Sequence, residues 1–364
     1  MAFLSGIQVV YVPAGALNNA GQESGQQAEN RVVVKKLRMG RQAYPYVSAQ
    51  AWRYWLRSLL AKDPEWKASP IFRESKIAYT DANPIKYDDD DLFGYMRAPS
   101  KKADARTGKL AEGTPVEKDK EKESLTRVSP FRVGTLVGLA PAITADFGTM
   151  SRHVGDPVPH EHEFYSTSLR GLFGLDLGRV GVFTAVARTG FQNLDSNRKR
   201  EALEAGAQEV AGGEGYILPD EERWRRIRLL LEALPRLEGG AKQTLHATDV
   251  TPVVVLMAVF RGGINPFFPV IVPDEQGHAT LHLKALAQLV QVWQDQLLSP
   301  LYLGWVEGYP PENGGKTADK LRSELQAQEL LRERVVVGHP REVFQRLIED
   351  LRMNPTWWAA ELPF

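Results

Sequence analysis

The sequence contains no cysteine, which excludes a disulfide framework, a thiolate metal site and a cysteine nucleophile. It also lacks any long apolar run. The longest candidate, Val253–Phe260, falls far short of the roughly 18 to 20 residues that cross a bilayer. The opening MAFLSGIQVVYV has neither a basic segment before its apolar stretch nor a small-residue cleavage site after it. It therefore reads as a first strand rather than a signal peptide, and a cytoplasmic protein without a membrane partner is expected. Net charge is missing as well: 45 basic and 45 acidic residues cancel, so bulk charge points to no partner. What is present is 364 residues with 43% hydrophobic, 25% charged and 9% aromatic side chains. Those proportions exclude global disorder and suit a soluble protein of two average domains, or of one domain with large insertions.

One stretch lacks acids altogether. From Arg31 to Lys62 lie Arg31, Lys35, Lys36, Arg38, Arg41, Arg53, Arg57 and Lys62, and no Asp or Glu. This is a local positive field inside a neutral chain, where a merely soluble face would mix both signs. Within it, Val47–Leu60 carries Trp52, Trp55, Leu56, Leu59 and Leu60 at i, i+3, i+4, i+7 and i+8, an apolar stripe for packing on a sheet. Gln50, Arg53 and Arg57 recur on another face, and Ser48 stands at the N-cap position. Free backbone N–H groups, the positive dipole end, a hydroxyl and two guanidiniums together describe a phosphate site.

Around this helix the pattern predicts a buried strand at Phe3–Val12, a polar loop over 14–30, and a strand Arg31–Arg38 stopped by Tyr44-Pro45. Residues 62–128 read as a long insertion, Lys/Glu-rich from Lys101 to Arg127. Its run Asp88–Asp91 is not expected to bind metal, because consecutive side chains diverge and hard-cation loops use alternate positions. Strands follow at Phe131–Leu139, Gly178–Arg188 and Val253–Phe260. A projecting Gly-, Pro- and His-rich hairpin occupies 141–170, and helices lie near 197–209, 220–234, 281–297, 316–333 and 340–352. In HEHEF, His160 and His162 point the same way on a strand. They could share a zinc ion, but no third ligand is evident, so polar decoration of the hairpin is favoured. The turn Gly239–Gln243 reads equally as plain turn or as a backbone-amide phosphate contact with Lys242 adding charge. Stripped of insertions, the element order is β-α-β-β-α-β, that of an α+β ferredoxin-like or RNA-recognition-motif sheet. The aromatic RNA-stacking signature of that fold is missing from both central strands.

The phrases ALNNAGQ, GRQAYPYVSAQAWRYWLR, DDDDLFGYM and SPFRVGTLVGL, with GGAKQTLHATDVTP more loosely, resemble the DevR autoregulator family. These are the repeated backbone subunits (Cas protein family seven) of type I CRISPR Cascade complexes, and the chain is most similar to the I-B branch. The resemblance implies an RNA-recognition-like palm, long finger and thumb insertions and extra C-terminal helices. The palm would comprise 1–61, 129–142 and 171–280, the fingers 62–128, the thumb 143–170, and a helical continuation of the palm 281–364. The resemblance maps the family's helix-start phosphate contacts onto Ser48, Gln50, Arg53 and Arg57; with the basic segment and the two loops, RNA-binding residues are expected at Asn18, Asn19, Lys35, Lys36, Arg38, Arg41, Ser48, Gln50, Arg53, Arg57, Lys242 and Gln243, with His160, His162 and Phe164 on the thumb. Where relatives often carry Asn-Arg after the first strand, this chain has Asn18-Asn19, so no arginine stands there. Expected partners are guide crRNA, target DNA paired to it, further copies of the chain head to tail, and other Cascade subunits, with no cofactor.

Three other functions compete. A metal-independent endoribonuclease requires a general base such as His, yet the seven histidines are scattered and none lies in the basic segment. Target-RNA cleavage, as in similar subunits of type III complexes, uses a loop aspartate; between Pro13 and Lys62 there are Glu23 and Glu29 but no Asp. A DNA-binding autoregulator lacks a recognisable helix-turn-helix. A non-catalytic RNA scaffold is the reading these residues favour.

Overall fold

Ala2–Gly15 (β1) carries Phe3, Leu4, Ile7, Val9, Val10 and Val12 on both of its alternating faces, the composition of a strand covered on both sides. In the computed structural model it lies inside a large sheet, with Phe3, Leu4, Ile7, Val9, Val10 and Val12 all buried. Its antiparallel partner Pro252–Arg261 matches it from Ala2 opposite Arg261 to Val10 opposite Pro252. The structure describes residues 1–22, 31–74, 77–97, 124–150, 158–186, 188, 191–311 and 318–362. Most of the Lys/Glu-rich stretch, residues 23–30 of the first loop and the tip 151–157 of the expected hairpin lie outside them.

The fold is α+β. Two units divide the chain: Met1–Lys62, Arg132–Leu175 and Leu230–Trp358 form the first, and Asp63–Phe131, Asp176–Leu229 and Ala359–Phe364 the second. Among the described residues the first unit holds a 12-stranded mixed sheet. Its main path runs Val335–Gly338, Leu301–Trp305, Pro252–Arg261, β1, Val158–Asp176, Leu136–Gly138, Gln42–Val47 (β5) and Lys36–Met39 (β4). Asn19–Gln22 (β2), Arg31–Val34 (β3), Phe131–Val133 and Ile143–Met150 pair off this path. Helices Leu283–Trp293 and Ala318–Gln326 bring Leu286, Leu289, Val290, Leu321 and Leu325 into one cluster with Ile7, Val9, Leu256 and Phe260.

Helix α1 (Ala49–Leu60) forms where its stripe predicts. Trp52, Trp55, Leu56 and Leu60 are buried, and the Trp52 indole N–H donates to the Gly134 carbonyl at 2.8 Å. Several local expectations change. Tyr44-Pro45 does not end a strand; β5 runs through it, with Pro45 opposite Lys36 in a hairpin that turns at Gly40. Proline is tolerated there because no ladder N–H is demanded of it. The strand expected over 131–139 splits into Phe131–Val133 and Leu136–Gly138. That over 178–188 becomes a 3-10 turn, Leu177–Arg179, and a short strand Val182–Thr184, joined through Gly181 at φ +67°. The C-terminal stretch, expected to be helical, also supplies Leu301–Trp305 and Val335–Gly338 to the sheet. LYLGW is short and buried at every position, so it carries neither the length nor the one-sided pattern of a surface helix.

The second unit contains a three-stranded sheet (Val182–Thr184, Gly215–Ile217, Gln208–Val210) and helix Ser196–Glu204 over a small core of Ile85, Phe183, Leu194, Ala202, Tyr216 and Leu218. Beside it lies a network of buried charges. The run Asp88–Asp91 opens a short helix, Asp88–Phe93, and all four aspartates are buried. Each accepts from a different backbone N–H. Asp88 accepts from Lys67 N at 2.9 Å, Asp89 from Ser69 N at 2.6 Å, and Asp90 from Asn83 N at 2.9 Å. Asp91 accepts from Gly181 N and the Arg226 guanidinium, both at 2.8 Å, and also pairs with buried Arg127. Arg225 adds two bonds to Asp88, at 2.7 and 2.9 Å. Diverging directions, which made a metal site implausible, let four neighbours satisfy four separate groups. Buried charges survive only when paired and hydrogen-bonded in this way.

Glu222 belongs to the same network, 2.7 Å from Arg225 and 3.2 Å from Lys67. Burial alone would raise its pKa, but the Arg225 hydrogen bond and the charges of Arg226, Arg225 and Lys67 outweigh it and hold it at about 2. A depressed carboxylate pKa stabilises the fold above its unfolded value and loses that contribution as pH falls toward the folded one. The unit is therefore expected to lose stability between about pH 4.5 and about pH 2, and Glu222→Gln to shrink that pH dependence. Denaturant midpoints across this range check it; identical slopes for the two proteins would refute it.

Candidate nucleic-acid interface

The start of α1 is built as the sequence implies and is then closed in by two loops. Ser48 Oγ accepts the Ala51 N–H at 3.3 Å, and the Ser48 N–H donates to Asn18 Oδ1, also at 3.3 Å. The segment after β1 is fixed on both sides by backbone bonds: Ala241 N to Leu17 O at 3.0 Å and Lys35 N to Asn18 O at 2.9 Å. Gly239 and Gly240 lie at φ +145° and +100°. A Cβ on Gly239 would stand 2.4 Å from Trp55 Cγ, and one on Gly240 2.5 Å from Leu17 Cδ2. Only glycine permits this approach.

The convergence leaves a cleft of about 620 Å³. Ser48, Gln50, Tyr54 and Ser58 of α1 form one wall; Asn18, Lys35 and the turn 238–241 form the rest. The cleft therefore combines the helix N-terminus and its dipole with one lysine, hydroxyl and amide groups, and a phenol ring 67% exposed. That set suits an anion carried on a ribose or a base.

Of the residues singled out from the sequence, Asn18, Lys35, Ser48 and Gln50 meet in the cleft. Arg53 and Arg57 do not line it. At 100° per residue Gln50, Tyr54 and Ser58 share the cleft wall, whereas the two arginines occupy the adjoining stripe. Both are half-buried, and burial followed by the like charge of Arg57 lowers the Arg53 pKa. A phosphate between them would relieve that repulsion. Arg38 and Arg41 are exposed on and beside β4. Lys36 is engaged with buried Glu163 at 2.6 Å, whose other oxygen takes the Val34 N–H at 3.1 Å. Gln243 spends its amide on closing its own loop, donating to Gly239 O and, at 3.0 Å, to Thr248 O. Lys242 holds the left-handed turn before it at φ +56°, and the Asn19 side-chain oxygen is buried without a hydrogen-bond partner among the described residues. Sequence reasoning missed Tyr54, Ser58 and Glu238. Tyr54 and Ser58 were legible as i+4 and i+8 from Gln50; Glu238, which pairs with Lys62, reaches the cleft only through the tertiary fold.

The region expected to project as a hairpin is one: Ile143–Met150 pairs antiparallel with Val158–Asp176. His160, His162 and Phe164 share one face, and a third imidazole joins them. His246, from the short helix Gln243–His246, lies 6.2 Å from His162 and 5.8 Å from Phe164 by ring centroids. His246 was not legible beside them in the sequence, because 84 residues separate it from His162 and only the tertiary fold brings them together. Among the described residues no three His, Asp or Glu side chains are arranged to hold a metal ion, and no helix is long and apolar enough to cross a membrane.

Residues 7–278 match the family described as "CRISPR-associated negative auto-regulator DevR/Csa2". The chain belongs to this family. The matched stretch includes every residue of the cleft and of the histidine cluster. Among curated proteins none matches. Two solved structures resemble this DevR-family chain at 12% identity, each covering 96% of it and 99% of the other chain. They are a "CRISPR RNA-guided surveillance complex" at TM-score 0.49 and a "CRISPR RNA-guided surveillance complex, pre-nicking" at 0.50. At that identity the second likeness speaks for the fold alone.

The cleft's floor is testable by coupling. Trp55→Ala is expected to cost about 3 to 5 kcal/mol and Gly239→Ala about 1 to 3 kcal/mol through overpacking and backbone strain. Because the added methyl meets the Trp55 ring, the double variant should cost less than the sum of the two. Urea unfolding of all four proteins measures this; strict additivity would contradict the contact.

Proposed function

We propose that this DevR-family chain is a non-catalytic backbone subunit of a type I CRISPR Cascade complex. It polymerises head to tail along guide crRNA, binds the phosphate backbone and leaves the bases to pair with target DNA. The observation that carries this reading is the cleft at the start of α1, where helix N-terminus, Lys35 and polar side chains converge beside the Arg53/Arg57 stripe. Groups of that kind track a backbone without reading its sequence.

Within the large sheet, the order Pro252–Arg261, β1, Val158–Asp176, Leu136–Gly138 supports an RNA-recognition-like palm, whose four strands stand in the order 4-1-3-2 with α1 following the first. Residues 62–128 then act as fingers and 143–170 as thumb, each copy reaching the next through unlike surfaces, a contact that propagates rather than closes. Other Cascade subunits cap the filament. The chain cuts nothing: incubation with guide precursor or target RNA, with and without Mg²⁺, yields no site-specific product.

The test is RNA binding at several salt concentrations and RNA lengths. Copies bound should rise with RNA length, with nuclease protection at a fixed interval. Lys35→Ala, Arg53→Ala and Arg57→Ala each take away one phosphate-binding cation and should each flatten the log–log salt slope by about 0.7. A closed dimer indifferent to RNA length, or unchanged slopes in all three variants, would reject the reading.

A further inference from the structure

Along β5 the side chains alternate: Pro45 and Val47 are buried, whereas Tyr44 and Tyr46, on the other face, are half-exposed. Strand pairing extends that open face in both directions. Tyr46 stands opposite Val137, Val137 opposite Arg170, and Tyr44 opposite Leu37, and residues directly opposite one another in a ladder share a face. Met39 follows two residues beyond Leu37, and the pair are 47% and 44% exposed. No Asp or Glu stands among these residues.

Arg170 marks the inner border of the face. Its guanidinium lies 3.9 Å over the ring of Phe268, itself 56% exposed, and its Nη1 donates to the carbonyls of Phe268, at 3.3 Å, and of Ile271. Among the described residues Nε and Nη2 have no acceptor and the group has no carboxylate. Burial lowers its pKa with no negative charge to oppose it. A half-buried cation with free donors is short of an anion.

A face of this kind can be plain surface, a protein contact or a nucleic-acid platform. Plain surface is disfavoured by its contiguous apolar groups and by the unneutralised guanidinium. The tyrosines favour nucleic acid over a protein segment. Two residues apart on one strand, their rings stand about 6.6 Å apart, roughly twice the 3.4 Å step of stacked bases. Consecutive bases that have parted from each other therefore fit one to each ring, as bases do on RNA-recognition-motif sheets. The sugar is argued from its surroundings: Leu37, Met39 and Val137 offer no hydrogen-bond partner, and the Tyr44 hydroxyl already donates to Gln42 at 2.8 Å. A ribose 2′-hydroxyl laid here would lose water without replacement; deoxyribose carries no such group.

We propose that the open face of β4, β5 and Leu136–Gly138 holds single-stranded DNA, with two consecutive bases stacked on Tyr44 and Tyr46 and a phosphate of the same strand on Arg170. This goes beyond the RNA-binding reading: the cleft keeps the guide, and this face takes a second strand, of the kind released when a DNA duplex is opened for pairing.

The experiment uses the full chain loaded with single-stranded RNA, and a thymidine oligonucleotide carrying 5-iododeoxyuridine, which cross-links under ultraviolet light to a ring stacked on it. The unaltered protein should cross-link at Tyr44 or Tyr46, read by mass spectrometry of the digested adduct. Tyr46→Ala should weaken DNA binding by roughly 5- to 150-fold, the worth of one base-on-ring stack, and Tyr46→Phe should retain it. Arg170→Gln should flatten the log–log salt slope for DNA by about 0.7. All three should leave RNA affinity unchanged. The cross-link needs no variant, so it decides the matter if Tyr46→Ala fails to fold. Cross-links confined to other residues, a loaded chain that binds no DNA, or a folded Tyr46→Ala chain of native DNA affinity would overturn the site, and loss of multi-copy assembly in that last variant would make the face a protein contact. RNA affinity falling together with DNA affinity would overturn it too, by putting the guide on this face. A chain that binds no RNA yet cross-links DNA at these rings would sink the RNA-binding reading and leave this site standing.

Discussion

The absence of two Cβ atoms permits the close approach that shapes the cleft. Gly239 lies against the Trp55 ring and Gly240 against Leu17 at distances no other residue allows, and from that contact the turn 238–241 becomes a wall of the cleft. Trp55 is therefore engaged twice, in the buried stripe that seats α1 on the sheet and in the turn that faces its N-terminus. The Ala241–Leu17 and Lys35–Asn18 backbone bonds complete a frame in which few polar side chains are asked to position anything. Ser48 Oγ caps the helix by accepting from Ala51 N, and Asn18 Oδ1 accepts from Ser48 N.

The second unit is organised by a different force. Beside its apolar side chains a run of four aspartates is buried with Arg127 and Arg226, and Arg225 pairs with Asp88. Such a network is a modest source of net stability, since each charge must first lose its water, but removing one partner strands another. It fixes which backbone N–H groups, those of Lys67, Ser69, Asn83 and Gly181, meet at one short helix. The pH sensitivity of this unit follows from the same arrangement.

Charge in the first unit is divided between interior and surface. Lys36 of the acid-free segment pairs with Glu163 inside the fold, whereas Lys35 lines the cleft and Arg53 and Arg57 lie on the adjoining stripe of α1. The 239–249 loop contributes Gly239 and Gly240 to the cleft and His246 to the row of rings beside the hairpin.

Local pattern determined much of this. The apolar stripe of α1, the Ser48 cap, the buried runs of β1 and Pro252–Arg261, the hairpin after residue 141 and the family itself were all legible, because each depends on residues within one or two turns or one strand of each other. The placement of Arg53 and Arg57 beside the cleft rather than in it was also implicit in the helical period, although the two loops that define the cleft were not. Tertiary structure alone decided which loops close over α1, that Lys36 is spent on Glu163 more than a hundred residues away, that four adjacent aspartates each take a different backbone N–H, and that His246 joins His160 and His162. Those outcomes depend on sheet order and on close approach between distant segments, which no short-range periodicity encodes.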